Sequence, residues 1–174
     1  MQLLLTPKVV KRLQRELSRA GSREIGGLLL SEHVRDEIFR VIEITVQHTG
    51  GSHVGFMRYP QQHSEQLQSF FLRTGHDYTR FNYLGEWHSH PCFEPTPSTV
   101  DLHSMQAMVS DPAVGANFLV LMIVRLELNQ GLEYSATVFR EGLSPLSIPL
   151  QVEANDLIPR WRTAHKWIRK IFRM

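Results

Sequence analysis

Apolar residues recur along this chain in two rhythms, and the switches between them mark its elements. After Thr6-Pro7, residues Val9, Val10, Leu13 and Leu17 fall at helical spacing. Threonine caps helices and proline is tolerated in the first turn, so a helix is predicted that ends at Gly21. Residues 24–32, EIGGLLLSE, read as a buried strand, with Gly26-Gly27 marking a close backbone approach. Residues 37–48 alternate and carry β-branched side chains, predicting a second strand joined to the first by the hairpin-like SEHVRD. Residues 48–60 hold glycines and no period, and read as a loop. A helix is predicted over 60–75, with Leu67, Phe70 and Phe71 on its apolar side and a stop at Gly75. Residues 81–91 predict a strand closed by Pro91, which cannot donate to a ladder. Residues 98–111 predict a helix, 116–127 a buried central strand, and 132–141 a strand after the Asn129-Gln130-Gly131 turn. Beyond the Pro-punctuated LSPLSIPL, a final helix is expected at about 155–172. No repeat or linker divides the chain. Helices and strands mix without regular βαβ units, which predicts an α/β fold of the α+β kind: a mixed β-sheet flanked by helices.

Composition narrows this picture. A chain of 174 residues that is 42% hydrophobic suits a single domain, residues 1–174, with a real core. Charge is nearly balanced, 19 basic against 17 acidic residues, so bulk electrostatics gives no case for nucleic acid. The single cysteine, Cys92, excludes an internal disulfide and fits a reducing compartment. The opening MQLLLTPKVVKRL lacks a signal peptide's basic start and cleavage site, and the apolar run FLVLMIV is too short to span a bilayer. The expectation is a cytoplasmic protein with no transmembrane segment.

Candidate chemistry concentrates in GEWHSHPCFEPTPSTVDLHSM, residues 85–105. His88 and His90 are two apart on a predicted strand, so both imidazoles face one side. Two imidazoles and one carboxylate can hold Zn²⁺ at roughly 2.0–2.2 Å, leaving a position for water. Asp101, on the helix that follows, is the candidate third ligand. Taken singly, these pieces also fit two ordinary strand histidines and a capping box, Ser98-x-x-Asp101, which needs no metal. Capping and ligation compete for the same Asp101 carboxylate. Glu86 shares the predicted face of the two histidines and is a candidate ligand or base on spacing alone.

Together, His88, Ser89, His90, Pro91, Ser98 and Asp101 match H-[ST]-H-P-x6-S-x-x-D, and REIGGLLL supplies an upstream E-x-G-G-x-L strand. On these residues the chain resembles the JAB/MPN metallopeptidases with their JAMM signature, over about residues 1–140 and in the order of the elements. The resemblance implies the MPN/JAB, cytidine-deaminase-like fold. It implies one zinc ion held by His88, His90 and Asp101, with a catalytic water as fourth ligand. It implies Glu24 as general base and then acid, and Ser98 as hydrogen-bond donor to the oxyanion. Glu86 ranks behind Glu24 only by that pattern. Cys92 and His103 are not expected to be ligands, and His33, His48, His53, His63, His76 and His165 carry no signal.

The family's usual substrates are bonds after a ubiquitin-like protein's C-terminal tail, which can add as a strand beside the site's sheet. Short length and the form of the motif resemble the prokaryotic branch. Within it the likeness is greatest to stand-alone peptidases of bacterial antiviral operons that carry E1- and E2-like partners. Two such contexts remain open: a CBASS-type system, with a conjugated nucleotide synthase as substrate, and a Bil-type system, with a ubiquitin-like protein. A third is a peptidase for a sulfur-carrier protein. A non-catalytic interaction module is the alternative from another class. It would use the basic, aromatic C-terminal stretch with Arg160, Arg162, Lys166, Arg169, Lys170 and Arg173.

Overall fold

A computed structural model describes residues 1–52 and 55–154. The predicted C-terminal helix lies outside the described residues. The element order is β1 (Gln2–Leu5), α1 (Pro7–Ala20), β2 (Gly26–Arg35), β3 (Ile38–Ile44), a 3₁₀ turn (Pro60–Gln62), α2 (Ser64–Arg73), β4 (Phe81–Ser89), α3 (Thr99–Val109), β5 (Leu119–Leu126), β6 (Leu132–Phe139), β7 (Leu146–Ser147) and β8 (Leu150–Val152). The strands form one mixed sheet in the order β7-β6-β5-β4-β2-β3-β1-β8.

Helix α1 starts and stops where the sequence signals it. The Thr6 side chain accepts a hydrogen bond from the Val9 amide, Pro7 opens the helix, and Gly21 ends it at φ 63°. Its buried side, Val9, Leu13 and Leu17, packs with Leu29, Trp87, Val120 and Met122 on one face of the sheet. Helices α2 and α3 cover the other face. Phe70 of α2 meets Leu28 and Leu30, and Met105 and Val109 of α3 meet Leu119, Leu121 and Ile123. β5 therefore has helices over both faces, which is why its residues 119–124 are uniformly apolar and buried. β4 and β5 are parallel, and α3 is the crossover such a pair requires. This places the N-terminus of α3 near the end of β4 that carries the histidines.

A bulge in β4 decides which residues face the site. Leu29 pairs with Gly85 but Leu30 pairs with Tyr83, so Leu84 is an extra residue. Gly85 takes φ 146°, a backbone state that L side chains rarely adopt, and any Cβ there would lie 2.0 Å from the Val120 carbonyl oxygen. The bulge resets the alternation. Leu84 and Trp87 both enter the α1-side core, while Tyr83 packs on the α2 and α3 side.

The structure departs from the sequence expectations at SEHVRD, at MQLLL, in the 60–75 helix, and after Leu143, where β7 and β8 appear. SEHVRD is not the link between β2 and β3. β2 runs to Arg35, and the turn falls at Asp36-Glu37, with Glu37 at φ 60°. MQLLL supplies a strand, β1, held parallel between β3 and β8. The 60–75 helix is broken: a 3₁₀ turn at Pro60–Gln62 precedes α2, which begins at Ser64.

Candidate metal centre

His88 is the penultimate residue of β4 and His90 directly follows the strand, and both are only 8% exposed. Their Nε2 atoms lie 3.1 Å apart. Asp101, in the first turn of α3, brings Oδ1 to 3.4 Å from His88 Nε2 and Oδ2 to 3.8 Å from His90 Nε2. One ligand atom from each of the three residues thus falls within 4.8 Å of the others.

The competition for Asp101 resolves by a division of its oxygens. Oδ2 accepts from the Ser98 amide at 2.8 Å and from Ser98 Oγ at 2.7 Å, while the Asp101 amide donates to Ser98 Oγ at 3.2 Å. That is a complete capping box. Oδ1 is left to face His88. Burial pushes the Asp101 carboxyl up, but hydrogen bonding and charge from His88, with the two bonds from Ser98, outweigh it and hold it far below the usual carboxylate range.

His90 is oriented through its second ring nitrogen. Nδ1 lies 3.0 Å from the Glu94 carbonyl oxygen, which can only accept. Nδ1 must therefore carry the proton, and Nε2 presents its lone pair toward Asp101 and His88. Burial also lowers the His90 pKa against the opposing pull of Glu94 and Asp101, favouring the neutral ring that metals bind.

These features fit a divalent zinc ion. There are two imidazoles and one anionic carboxylate, and a carbonyl fixes one ring's tautomer as ligating histidines require. Cys92 is exposed and is not part of the cluster. His103 is exposed on α3.

Glu24 lies two residues before the start of β2 and is 4% exposed. Backbone pairing brings it to the histidines across the long gap in sequence. Gly26 pairs with His88 in the β2–β4 ladder. Ser89, between the two histidines, receives the Ile25 amide on its hydroxyl at 3.0 Å, and its own amide donates to the Ile25 carbonyl at 2.8 Å. The Glu24 amide donates to the Ser52 carbonyl at 2.8 Å, tying the same segment to the 48–60 loop. Burial raises the Glu24 carboxyl, His88 opposes that, and Asp101 adds to it.

Glu86 lies outside this cluster and is largely shielded from water. It is ion-paired with Arg58, and the Tyr83 hydroxyl lies 3.5 Å away. Its carboxyl is raised by burial, with Arg58, His88 and Tyr83 pulling the other way. Arg58 and Tyr83 carried no signal in the sequence. Nor did Phe56, whose ring lies 6.5 Å from that of His88. The described residues of the 48–60 loop are more ordered than its glycines suggest. Gly51 and Phe56 bridge, and buried Gln47 donates to the Thr49 and Met57 carbonyls and accepts from the Tyr59 amide. These described residues form a small flap beside Glu24 and His88.

His63, one of the histidines without signal, is 1% exposed and holds Thr45 Oγ1 at 2.8 Å. Among the described residues, no helix is long and apolar enough to cross a membrane.

Comparison with known proteins agrees with this fold. Residues 6–137 match the family described as prokaryotic homologs of the JAB domain. A protein of Enterobacter hormaechei subsp. hoffmannii (strain UCI 50) named CD-NTase/cGAS isopeptidase is 24% identical over 148 residues, covering 84% of this chain and 79% of that protein. A Desulfitobacterium hafniense protein whose structure was determined in solution shares the fold, with a TM-score of 0.57 and 18% identity over 87% of this chain and 92% of that one. The chain belongs to the prokaryotic JAB-domain family.

Proposed function

We propose that this chain is a zinc-dependent isopeptidase that releases a conjugated protein from its target in a CBASS-like antiviral system. The observation that carries this reading is the convergence of His88, His90 and Asp101 beside buried Glu24. The name of the Enterobacter relative supports the substrate class: a nucleotidyltransferase of the CD-NTase/cGAS kind, joined to a target amine through its C-terminus. The whole of residues 1–174 acts as a single JAB unit in the cytoplasm.

His88, His90 and Asp101 hold the zinc. When bound, the zinc acidifies a water toward a pKa of ~7 and polarises the scissile carbonyl. Glu24 accepts the proton lost as the water attacks, and returns it to the departing amine. Its raised pKa suits both tasks, because a carboxylate poised nearer neutrality gives a proton back more readily. Ser98 Oγ donates to the developing oxyanion. To do so its proton must turn away from Asp101 Oδ2, where it rests at 2.7 Å.

The substrate tail cannot insert beside β4 within the sheet, because β2 and β5 already flank it. Main-chain groups of the flap around Gly51 and Phe56 are the available strand-like partner. A cavity of about 240 Å³ lined by Leu28, Arg58, His63, Leu67, Tyr83 and Met108 can take an apolar side chain of that tail.

The test is cleavage of two substrates, each linked to a lysine amine: a CD-NTase-type protein and a ubiquitin-like tail. The expected result is release of the first, abolished by a chelator and restored by zinc. Release of only the second would shift the substrate to ubiquitin-like proteins. Chelator-resistant release, or none from either, would overturn the reading.

A further inference from the structure

The carbonyl that fixes His90 belongs to a loop residue, and a loop carbonyl needs something to aim it. Arg125, at the end of β5, does this from the neighbouring strand. Its Nη1 donates to the Phe93 carbonyl and to Glu94 Oε1, each at 3.2 Å. Its Nε donates to Glu133 Oε2 at 2.8 Å, and Nη2 contacts the same oxygen. Glu133 is the directly opposed residue on β6. The planar fork is thus gripped on one side by the sheet and grips the 92–96 loop on the other. The residue before Arg125 completes the hold, since the Val124 carbonyl accepts the His90 amide at 3.0 Å.

We propose that Arg125 is a positioning residue for the metal centre: by clamping Phe93 and Glu94 it presents the Glu94 carbonyl to His90 Nδ1 and commits Nε2 to ligation. This rests on His90 being a zinc ligand. A lysine could keep one of these contacts but cannot reach Glu133 and the loop together, because its donors radiate from a single nitrogen. Arg125 touches neither zinc ligand nor reacting atoms, so its effect passes wholly through the loop.

The experiment measures zinc affinity by chelator competition, and ring tautomers by long-range ¹H–¹⁵N NMR of the metal-free protein, for the parent, Arg125→Met, Arg125→Lys, Glu94→Ala and His90→Ala. His90→Ala must lose zinc. If it binds like the parent, the ligand assignment fails rather than the role of Arg125. Given that loss, Arg125→Met is expected to weaken zinc by about tenfold or more, the range seen when a ligand's outer partner is removed. It is also expected to shift His90, and not His88, away from the Nδ1–H form. Arg125→Lys should show the same tautomer shift, and Glu94→Ala, which keeps its carbonyl and loses one clamp bond, a smaller one. The lysine and alanine variants keep the test decisive if Arg125→Met does not fold. Parent-like affinity and His90 tautomer in the folded Arg125 variants would overturn the proposal, as would equal shifts of both histidines, which mark a general loosening.

Discussion

Glu24 stands before β2 and Glu86 on β4, and both carboxylates lie close enough to His88 to feel its charge. Burial raises both. They differ in what holds them. Glu86 is ion-paired with Arg58 and sits by the Tyr83 hydroxyl. Among the described residues, no hydrogen-bond donor holds the Glu24 carboxylate, and the order around it lies in the backbone, through Ser52, Ile25 and Ser89. A carboxylate fixed to a guanidinium anchors structure and gives up its proton-accepting capacity. A carboxylate whose backbone is fixed and whose oxygens are unclaimed can take a proton and return it. Proximity and a raised pKa alone would not distinguish the two; partnership does.

The comparison can be broken most severely at Asp101, which faces both histidines. Asp101→Asn removes the anionic ligand and the charge that adds to burial in raising Glu24. The expected outcome is loss of stoichiometric zinc by metal analysis and turnover at background. Zinc retained at full stoichiometry would contradict the ligand set. Next comes Arg58→Met, which strands the Glu86 carboxylate. Its expected cost is about 2 kcal/mol in urea unfolding, below the roughly 3–5 kcal/mol of a fully buried pair because the arginine is a quarter exposed. Pairing Arg58→Met with Glu86→Gln should recover much of that loss. Ser98→Ala should slow turnover by about 10²-fold through the lost oxyanion donor, and cost about 1 kcal/mol through the lost cap.

The smallest effect concerns pH. In the metal-free protein Glu24 titrates above the ordinary glutamate value of ~4.3. A raised acid favours folding only while protonated. Its contribution is full below the ordinary value and is lost as pH rises through the folded pKa. Glu24→Gln, uncharged throughout, should therefore melt higher than the parent near pH 7, with the difference closing toward pH 4. Calorimetry across that window checks it. An unchanged difference at the two ends would mean that burial does not strain this carboxylate.

Much of this was legible in the chain. Thr6-Pro7 and Gly21 bound α1, and period-two spacing put His88 and His90 on one face with Glu86. The Gly26-Gly27 pair did mark a close approach: a Cβ on either would fall within 2.5 Å of a neighbouring backbone oxygen. What stayed hidden depended on partners remote in sequence. β1 is four residues held between β3 and β8, both remote from it in sequence. Glu24 had no local signal, and only the E-x-G-G-x-L resemblance nominated it, because the β2–β4 ladder and Ser89 bring it in. Arg58 sits in a stretch without period, so nothing showed that Glu86 was taken. The Glu94 carbonyl is backbone, and backbone carries no residue signature.

The most direct test sets the two glutamates against each other in the zinc-loaded protein. Single-turnover cleavage is measured for Glu24→Gln and Glu86→Gln, with zinc content determined on the same samples. The account predicts full zinc in both, a loss of about 10³-fold or more for Glu24→Gln, and less than about tenfold for Glu86→Gln. Normal turnover in zinc-loaded Glu24→Gln, or a larger loss in Glu86→Gln, would contradict it.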